Sequence, residues 1–363
     1  MAYTTINDPS KHFQITTHTG NGASTQAITN GGNSDMQPDL IWTKQRTDAV
    51  GHNWTDSTRG ASKALFSEGD DAEDTGGNIN SFDSDGFTTT DANRTNQNTK
   101  EYISWQWKAN GGSRTTFNES GSNPGGGYQA NTTAGFSIVD YTGTGSNGTV
   151  SHGLGKIPGW MVIKARTEPT GGTHFGSDQG NWVVYHHDIA TDPATDALFL
   201  NLNSDRVDSA GAFNDTDPTT SVFTIGNNVD VNEDADTYIA YVWNEVQGFS
   251  KFGQYIGNGN ANGPFVYTGF TPAFLMIKRL ATDDFFIVDN VRDPVNPRGI
   301  KFLYANQNAA EVTSDKDLDI YSNGFKCRAV TGFHNDPGNT YIYMAFAKHP
   351  FVTSTGVPCP AHA

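Results

Sequence analysis

One ordered set of five features runs through this chain three times, and a repeat of that length constrains the fold more than any other property of the sequence. Each round begins with an aromatic residue and a Gly-x-Gly turn: Phe13 with Gly20-Asn-Gly22, Phe136 with Gly143-Thr-Gly145, Phe252 with Gly257-Asn-Gly259. A proline follows, then an apolar run, then a lysine six positions on, at Pro38/Lys44, Pro158/Lys164 and Pro272/Lys278. Next come an aromatic stretch leading to an acid (Trp54 to Asp56, Trp182 to Asp188, Phe285 to Asp289) and a Leu-aromatic pair (Leu65-Phe66, Leu198-Phe199, Leu303-Tyr304). Tyr-Ile-x-x-x-aromatic closes each round, from Tyr102, Tyr238 and Tyr341. The prolines stand 120 and 114 residues apart, the size of a small domain and far above the roughly 20–50 residues of a solenoid repeat.

These features have the chemistry of strands and hairpins. Trp160-Met-Val-Ile163 and Phe274-Leu-Met-Ile277 show no polar alternation, as expected of strands covered on both faces. Proline suits a strand's first position, where no ladder donor is needed, and Gly-x-Gly supplies the positive φ of tight turns. No sustained helical period exists; the best stretch, 191–202, is short and contains Pro193. The expectation is an all-β chain of three related antiparallel β-sandwich, jelly-roll-like units. Unit one covers residues 1–109 with an N-terminal arm, unit two 131–250 and unit three 251–352, with a tail over 353–363. The Gly/Ser/Asn-rich stretch 110–130 has the composition of a flexible linker. Units two and three abut near Gly248 and should form one rigid body, with unit one attached more loosely.

Charge and targeting narrow the function classes. The 363 residues include 23 basic and 39 acidic side chains, a net of −16, which argues against nucleic acid and an anionic membrane surface as partners. Of the acids, 31 are Asp, a residue of turns and caps. No window approaches the roughly 20 apolar residues of a bilayer span, so no membrane insertion is expected. The N-terminus has no basic stretch followed by an apolar core. Two cysteines, Cys327 and Cys359, are too few for a disulfide scaffold and read as two thiols, with a single bond between them as the lesser alternative.

Several motifs carry a family resemblance: Gly135-Phe-Ser-Ile-Val-Asp-Tyr-Thr-Gly-Thr-Gly145, Val150-Ser-His-Gly-Leu-Gly-Lys-Ile-Pro158 and Phe252-Gly-Gln-Tyr-Ile-Gly-Asn-Gly259. Pro264-Phe-Val-Tyr-Thr-Gly-Phe270, Asn323-Gly-Phe-Lys326 and Thr340-Tyr-Ile-Tyr-Met-Ala-Phe-Ala347 complete them. Together they resemble an uncharacterised β-rich repeat family of structural proteins in marine tailed bacteriophages of the cyanophage type. The likeness is close over residues 131 to 352 and weaker over 1 to 109. It implies a virion protein of the tail-fibre or appendage kind with no assigned catalytic residues. Such a protein is made in the host cytoplasm and released by lysis, which requires neither signal peptide nor disulfides. The implied partners are further copies of itself, other virion proteins and a host-surface glycan.

Constellations with chemical potential are few. A glycosidase needs two opposed carboxylates, and none stands out among eight scattered Glu and turn-bound Asp; a solvated loop explains Asp70-Asp71. No Gly-x-Ser-x-Gly elbow or phosphate-binding loop is present. His174, His186 and His187, with His152 upstream, fall short of a zinc site because adjacent strand residues point to opposite faces. The stronger metal candidate is structural calcium on Asp230, Asn232, Asp234 and Asp236, whose oxygens alternate as in the first half of a calcium loop. Ala235 and Tyr241 stand where such a loop has Gly and Glu, and Asp83-Ser-Asp85-Gly86 is shorter still. No other cofactor is expected. Asp56/Arg59 and Asp289/Arg292 share an acid-x-x-Arg spacing that Asp188 of unit two lacks. Trp160 and Tyr185 are candidates for stacking on sugar rings, with core packing the simpler explanation. The leading expectation is a non-enzymatic virion protein, displayed as a fibre, appendage or capsid decoration, in which three like units either self-assemble or imitate a trimer. A carbohydrate-binding adsorption protein comes second and a polysaccharide depolymerase third.

Overall fold

The computed structural model describes residues 3–172, 174–175, 180–294, 296, 301–313, 318–330, 332 and 334–358; Cys359 lies outside them. The chain is all-β and its strands pair antiparallel. In unit one, Phe13–Thr19 lies beside Glu101–Trp107, then Leu40–Gln45, then His52–Asp56. The same order runs through Phe136–Thr142, Thr237–Trp243, Trp160–Ala165 and Val183–His186 in unit two. In unit three it runs through Ser250–Ile256, Thr340–Pro350, Phe270–Arg279 and Phe286–Asp289. The Tyr-Ile-x-x-x-aromatic strand is therefore interior in every large sheet. A smaller sheet backs each one: Thr25–Ile28, Gly86–Thr90 and Ile79–Asp83; Gly148–Ser151 and Val222–Ile225; Phe265–Tyr267, Gly324–Cys327 and Leu318–Tyr321.

Two local devices recur. A buried asparagine clamps each Gly-x-Gly turn: the Asn96 side-chain oxygen accepts from Asn21 N at 2.9 Å, that of Asn232 from Thr144 N at 2.8 Å, and that of Asn335 from Asn258 N at 2.9 Å. The amide of each then donates to the turn's far side, at Ala23, Ser146 and Asn260. Beside the turn, the Tyr that opens the closing strand stacks on its cross-strand neighbour, with His18–Tyr102, Tyr141–Tyr238 and Tyr255–Tyr341 all at 12° between ring planes.

Unbroken apolar runs are covered on both faces, but not by one sandwich. In unit two, Met161 and Ile163 pack with Val150, Phe223 and Ile225 of the small sheet, whereas Trp160 and Val162 face a second core. That second core draws on all three units and contains all seven Trp. Trp54 meets Trp182 and Tyr241 of unit two at 5.2 and 5.1 Å; Trp107 meets Trp243 of unit two at 5.9 Å and Phe346 of unit three at 5.6 Å. Each such aromatic contributes on the order of 1.5–3 kcal/mol by burial.

This arrangement corrects two expectations. Unit one is not loosely attached, because its Trp residues are integral to the shared core. Nor is 110–130 a flexible linker: Gly126–Asn131 pairs with Phe136–Thr142, and Thr115–Phe117 pairs with Gly126–Asn131 in turn. Its glycines serve close approach, since a Cβ on Gly126 would lie 2.1 Å from the Asp140 carbonyl oxygen. The Asp39 carboxylate pins the start of the stretch by accepting the N–H groups of Ala109, Gly111 and Gly112. The region 191–202 forms a short 3-10 turn, Pro193–Thr195, and the strand Asp196–Phe199.

Candidate functional site

The repeat's polar residues converge on the seams between units. Each repeat lysine is buried and donates to a carbonyl of another unit: Lys44 to Asn308 in unit three at 3.3 Å, Lys164 to Asp70 in unit one at 3.0 Å, Lys278 to Ser204 in unit two at 3.1 Å. The contacts run in one rotational sense and close a ring. Burial pushes all three ammonium groups down to about 8.

Between units one and two lies a buried charge network. Arg59 Nε donates to Asp56 Oδ2 at 2.5 Å, and its other nitrogens reach Glu73 at 3.2 Å and Tyr241 Oη of unit two at 3.1 Å. Tyr241 donates to the same Asp56 oxygen at 2.8 Å, while Arg166 of unit two holds Glu73 at 3.0 and 3.1 Å. Burial alone would raise the Glu73 carboxyl, yet hydrogen bonds from Arg166 and Lys63 and the Arg59 charge bring it down to about 2. Between units three and one the arrangement recurs. Arg292 bonds Asp289 at 2.6 Å and Glu311 at 3.2 Å, Arg46 of unit one bonds Glu311 at 2.8 and 2.9 Å, and Trp105 Nε1 donates to Asp289 at 3.3 Å. His52 takes part as a neutral ring: its Nδ1 accepts from Trp42 Nε1 at 2.7 Å, leaving Nε2–H for the Tyr304 carbonyl at 2.8 Å. Burial, with the Lys44 charge adding to it, holds His52 well below the ordinary histidine range.

The third seam, between units two and three, differs. Asp56 faces Leu40 and Asp289 faces Phe274 across their strands; the residue in that register in unit two, facing Trp160, is His186. Asp188 is thus not the counterpart of the two acids. Asp188 N donates to His186 Nδ1 at 2.9 Å, and burial keeps His186 far below the usual range. Arg206 stands where Glu73 and Glu311 stand elsewhere, since its N–H bonds Leu280 O as theirs bond Arg166 O and Arg46 O.

The calcium candidates are not gathered into a site. Asp230 Oδ1 accepts from Gly180 N at 2.8 Å and Oδ2 from Phe175 N at 3.1 Å, Asn232 clamps its turn, and Asp234 is exposed. Among the described residues no group of three or more His, Cys, Asp or Glu is placed to hold a metal ion, the four histidines included. Asp83 and Asp85 hold a turn through Thr88 and Met36 N. Trp160 and Tyr185 are buried, so neither offers a face to a sugar. A shallow groove of about 390 Å³ lies between units one and three, but its Asp8 is engaged by Ser10 and Ser34.

Exposed aromatics occur elsewhere, on the outer face of unit three's small sheet. Phe265 and Tyr267 alternate outward at 47% and 54% exposure. Tyr321 shares their face, because Tyr267 and Tyr321 both lie opposite Gly324. The corresponding outer positions are Thr25, Ala27, Thr88 and Thr90 in unit one and Thr149, Ser151, Val222 and Thr224 in unit two. The motif Pro264-Phe-Val-Tyr267 held this signal as a period-two alternation of aromatics.

Fold and seams define an all-β protein of three interlocked units around a common aromatic core. A family model described as a domain of unknown function (DUF7483) matches residues 8–350, and the chain belongs to that family. No curated protein and no solved structure matches it. No helix among the described residues is long and apolar enough to cross a membrane.

Proposed function

We propose that this chain is a non-enzymatic structural component of a bacteriophage virion, displayed as a fibre, appendage or capsid decoration, in which three units of one chain take the places of three subunits. The observation that carries this reading is the ring of lysine contacts, Lys44 to Asn308, Lys164 to Asp70 and Lys278 to Ser204, made within a single chain. Such a block fits a threefold axis, where other virion proteins are its partners. The motif resemblance to marine phage proteins supplies the virion context. A structural role agrees with the engagement of Asp56, Asp289, Glu73 and Glu311 in seams rather than in an open cleft. Exposed aromatics on unit three favour a second reading, adsorption to a host-surface glycan. Mass spectrometry of purified particles should find the chain, and light scattering of the isolated protein should give the 39.2 kDa of one copy. Recovery only from the particle-free lysate contradicts the virion role, and a stable trimer contradicts the substitution of units for subunits.

A further inference from the structure

We infer that the outer face of unit three's small sheet, centred on Phe265, Tyr267 and Tyr321, binds a hexose-based polysaccharide. The inference rests on the adsorption reading above and gives that reading its site. Residues two apart on a strand present their side chains about 6–7 Å apart on one face, and Phe265 and Tyr267 do so, with Tyr267 opposite Gly324, which has no side chain, and Phe265 opposite Lys326. Both rings are held in place before any ligand arrives. Phe265 packs edge-on against Tyr321 at 5.9 Å and lies over Gly324, where a Cβ would come within 3.0 Å of its ring. Tyr267 Oη meets Tyr3 Oη at 3.1 Å, and Tyr3 is anchored in turn on the Gly269 carbonyl at 2.8 Å. Rings already ordered lose little freedom on binding.

Polar groups beside the rings suit hydroxyl-rich partners. Asp319 lies in the next cross-strand row, opposite Lys326, which itself faces Phe265. One Asp319 oxygen accepts from Tyr321 Oη at 3.2 Å and meets Arg328 at 3.4 Å. The other oxygen, Oδ1, is buried on a residue only 8% exposed and has no hydrogen-bond partner among the described residues. A buried carboxylate oxygen left unpaired is uncommon; having no exposed surface it lies out of a ligand's direct reach, and the Tyr321 hydroxyl is the nearer group for a sugar to meet. Lys326 at 2.6 Å from Asn262 and the exposed Arg328 add further donors. An apolar ring face next to convergent hydrogen-bonding groups matches a pyranose, which has an apolar face and a hydroxyl edge.

The size of the patch argues against a protein partner. Two half-exposed rings and a third beside them amount to a few hundred Å², against the roughly 800 Å² per partner of a stable protein interface. With a net charge of −16 on the chain, nucleic acid is the less suited polymer. Threonine, serine, alanine and valine at the equivalent positions of units one and two show that the sheet needs no aromatics there to fold.

The test is affinity electrophoresis of the full chain in gels containing laminarin, dextran or galactomannan, followed by fluorescence titration with whichever retards it. At least one of the three should retard the native protein. Phe265→Ala and Tyr267→Ala should each weaken binding tenfold or more with an unchanged melting temperature, whereas Thr149→Ala on unit two should bind like the native chain. Failure of all three polysaccharides to retard the protein overturns the inference, as does undiminished binding by both aromatic variants. Concentration-dependent self-association that Phe265→Ala abolishes also overturns it, assigning the face to a second copy. None of these failures bears on the presence of the chain in purified particles, which tests the structural reading separately.

Discussion

The seam between units one and two and the seam between units two and three share a backbone geometry and differ in chemistry. Glu73 N to Arg166 O at 2.8 Å has its counterpart in Arg206 N to Leu280 O at 3.0 Å. Around the first bond sit Asp56, Arg59, Glu73, Arg166 and Tyr241; at the second seam His186 Nε2 lies 3.4 Å from the Tyr343 carbonyl, and Arg206 turns back into its own unit, to the Ile189 carbonyl and to Asp196 at 3.6 Å. The seam between units three and one follows the charged pattern. A ring closed twice with a buried acid–arginine network and once without one shows that the network does not set its geometry. Backbone pairing and the shared aromatic core do that, and the ion pairs are one of two ways to fill the same space. This agrees with the modest net worth of buried ion pairs once desolvation is counted.

Breaking one partner should expose the difference. Arg59→Ala leaves Asp56 and Glu73 facing each other without their shared cation, and should cost about 3–5 kcal/mol by denaturant unfolding. His186→Ala on the neutral seam should cost less, about 1–3 kcal/mol. Replacing Asp56 by Leu and Arg59 by Met together, which makes the charged seam resemble the neutral one, should recover at least half of the Arg59→Ala loss.

Acid titration comes next in size. His52 and His186 stay neutral when folded but take a proton near 6.5 when unfolded, so their contribution is present above pH 6.5 and lost as pH falls below it. Each should lower stability by up to about 1.4 kcal/mol per pH unit in that window. Thermal melts from pH 7 to 5 should show the decline, and His52→Gln should flatten it. The lysines act in the opposite window. Folded at about 8 against an ordinary 10.5, they should let stability rise with pH above 8 as the folded state sheds protons first.

Smaller effects remain. Asn335→Ala removes the clamp on Gly257-Asn-Gly259 and should cost about 1–2 kcal/mol. Phe265→Ala on the exposed face should change stability by no more than about 0.5 kcal/mol.

Much of the fold was legible because periodicity reports burial. Trp160-Met-Val-Ile163 lacks polar alternation and is covered on both sides. That pattern also implied a second covering layer, since a small sheet can cover only one face, but nothing in it says that the layer is another unit. The turns were legible as Gly-x-Gly, whereas their clamps were not: Asn96 and Asn335 lie in Asn-rich loops, and Asn232 sits among acids that mimic a calcium loop. Stretch 110–130 misled because glycine for close strand approach and glycine for flexibility look alike in composition. Order along the chain pairs Asp188 with Asp56; cross-strand register, which places His186 there, belongs to the fold. The exposed aromatic face was present in Phe265-Val-Tyr267, but alternation alone does not say which face is solvent.

The central claim is that three units share one core and stand or fall together. Scanning calorimetry of the full chain tests it most directly. A single transition whose calorimetric and van't Hoff enthalpies agree is the predicted result. Two or three resolved transitions, with unit one melting apart from the rest, would contradict it.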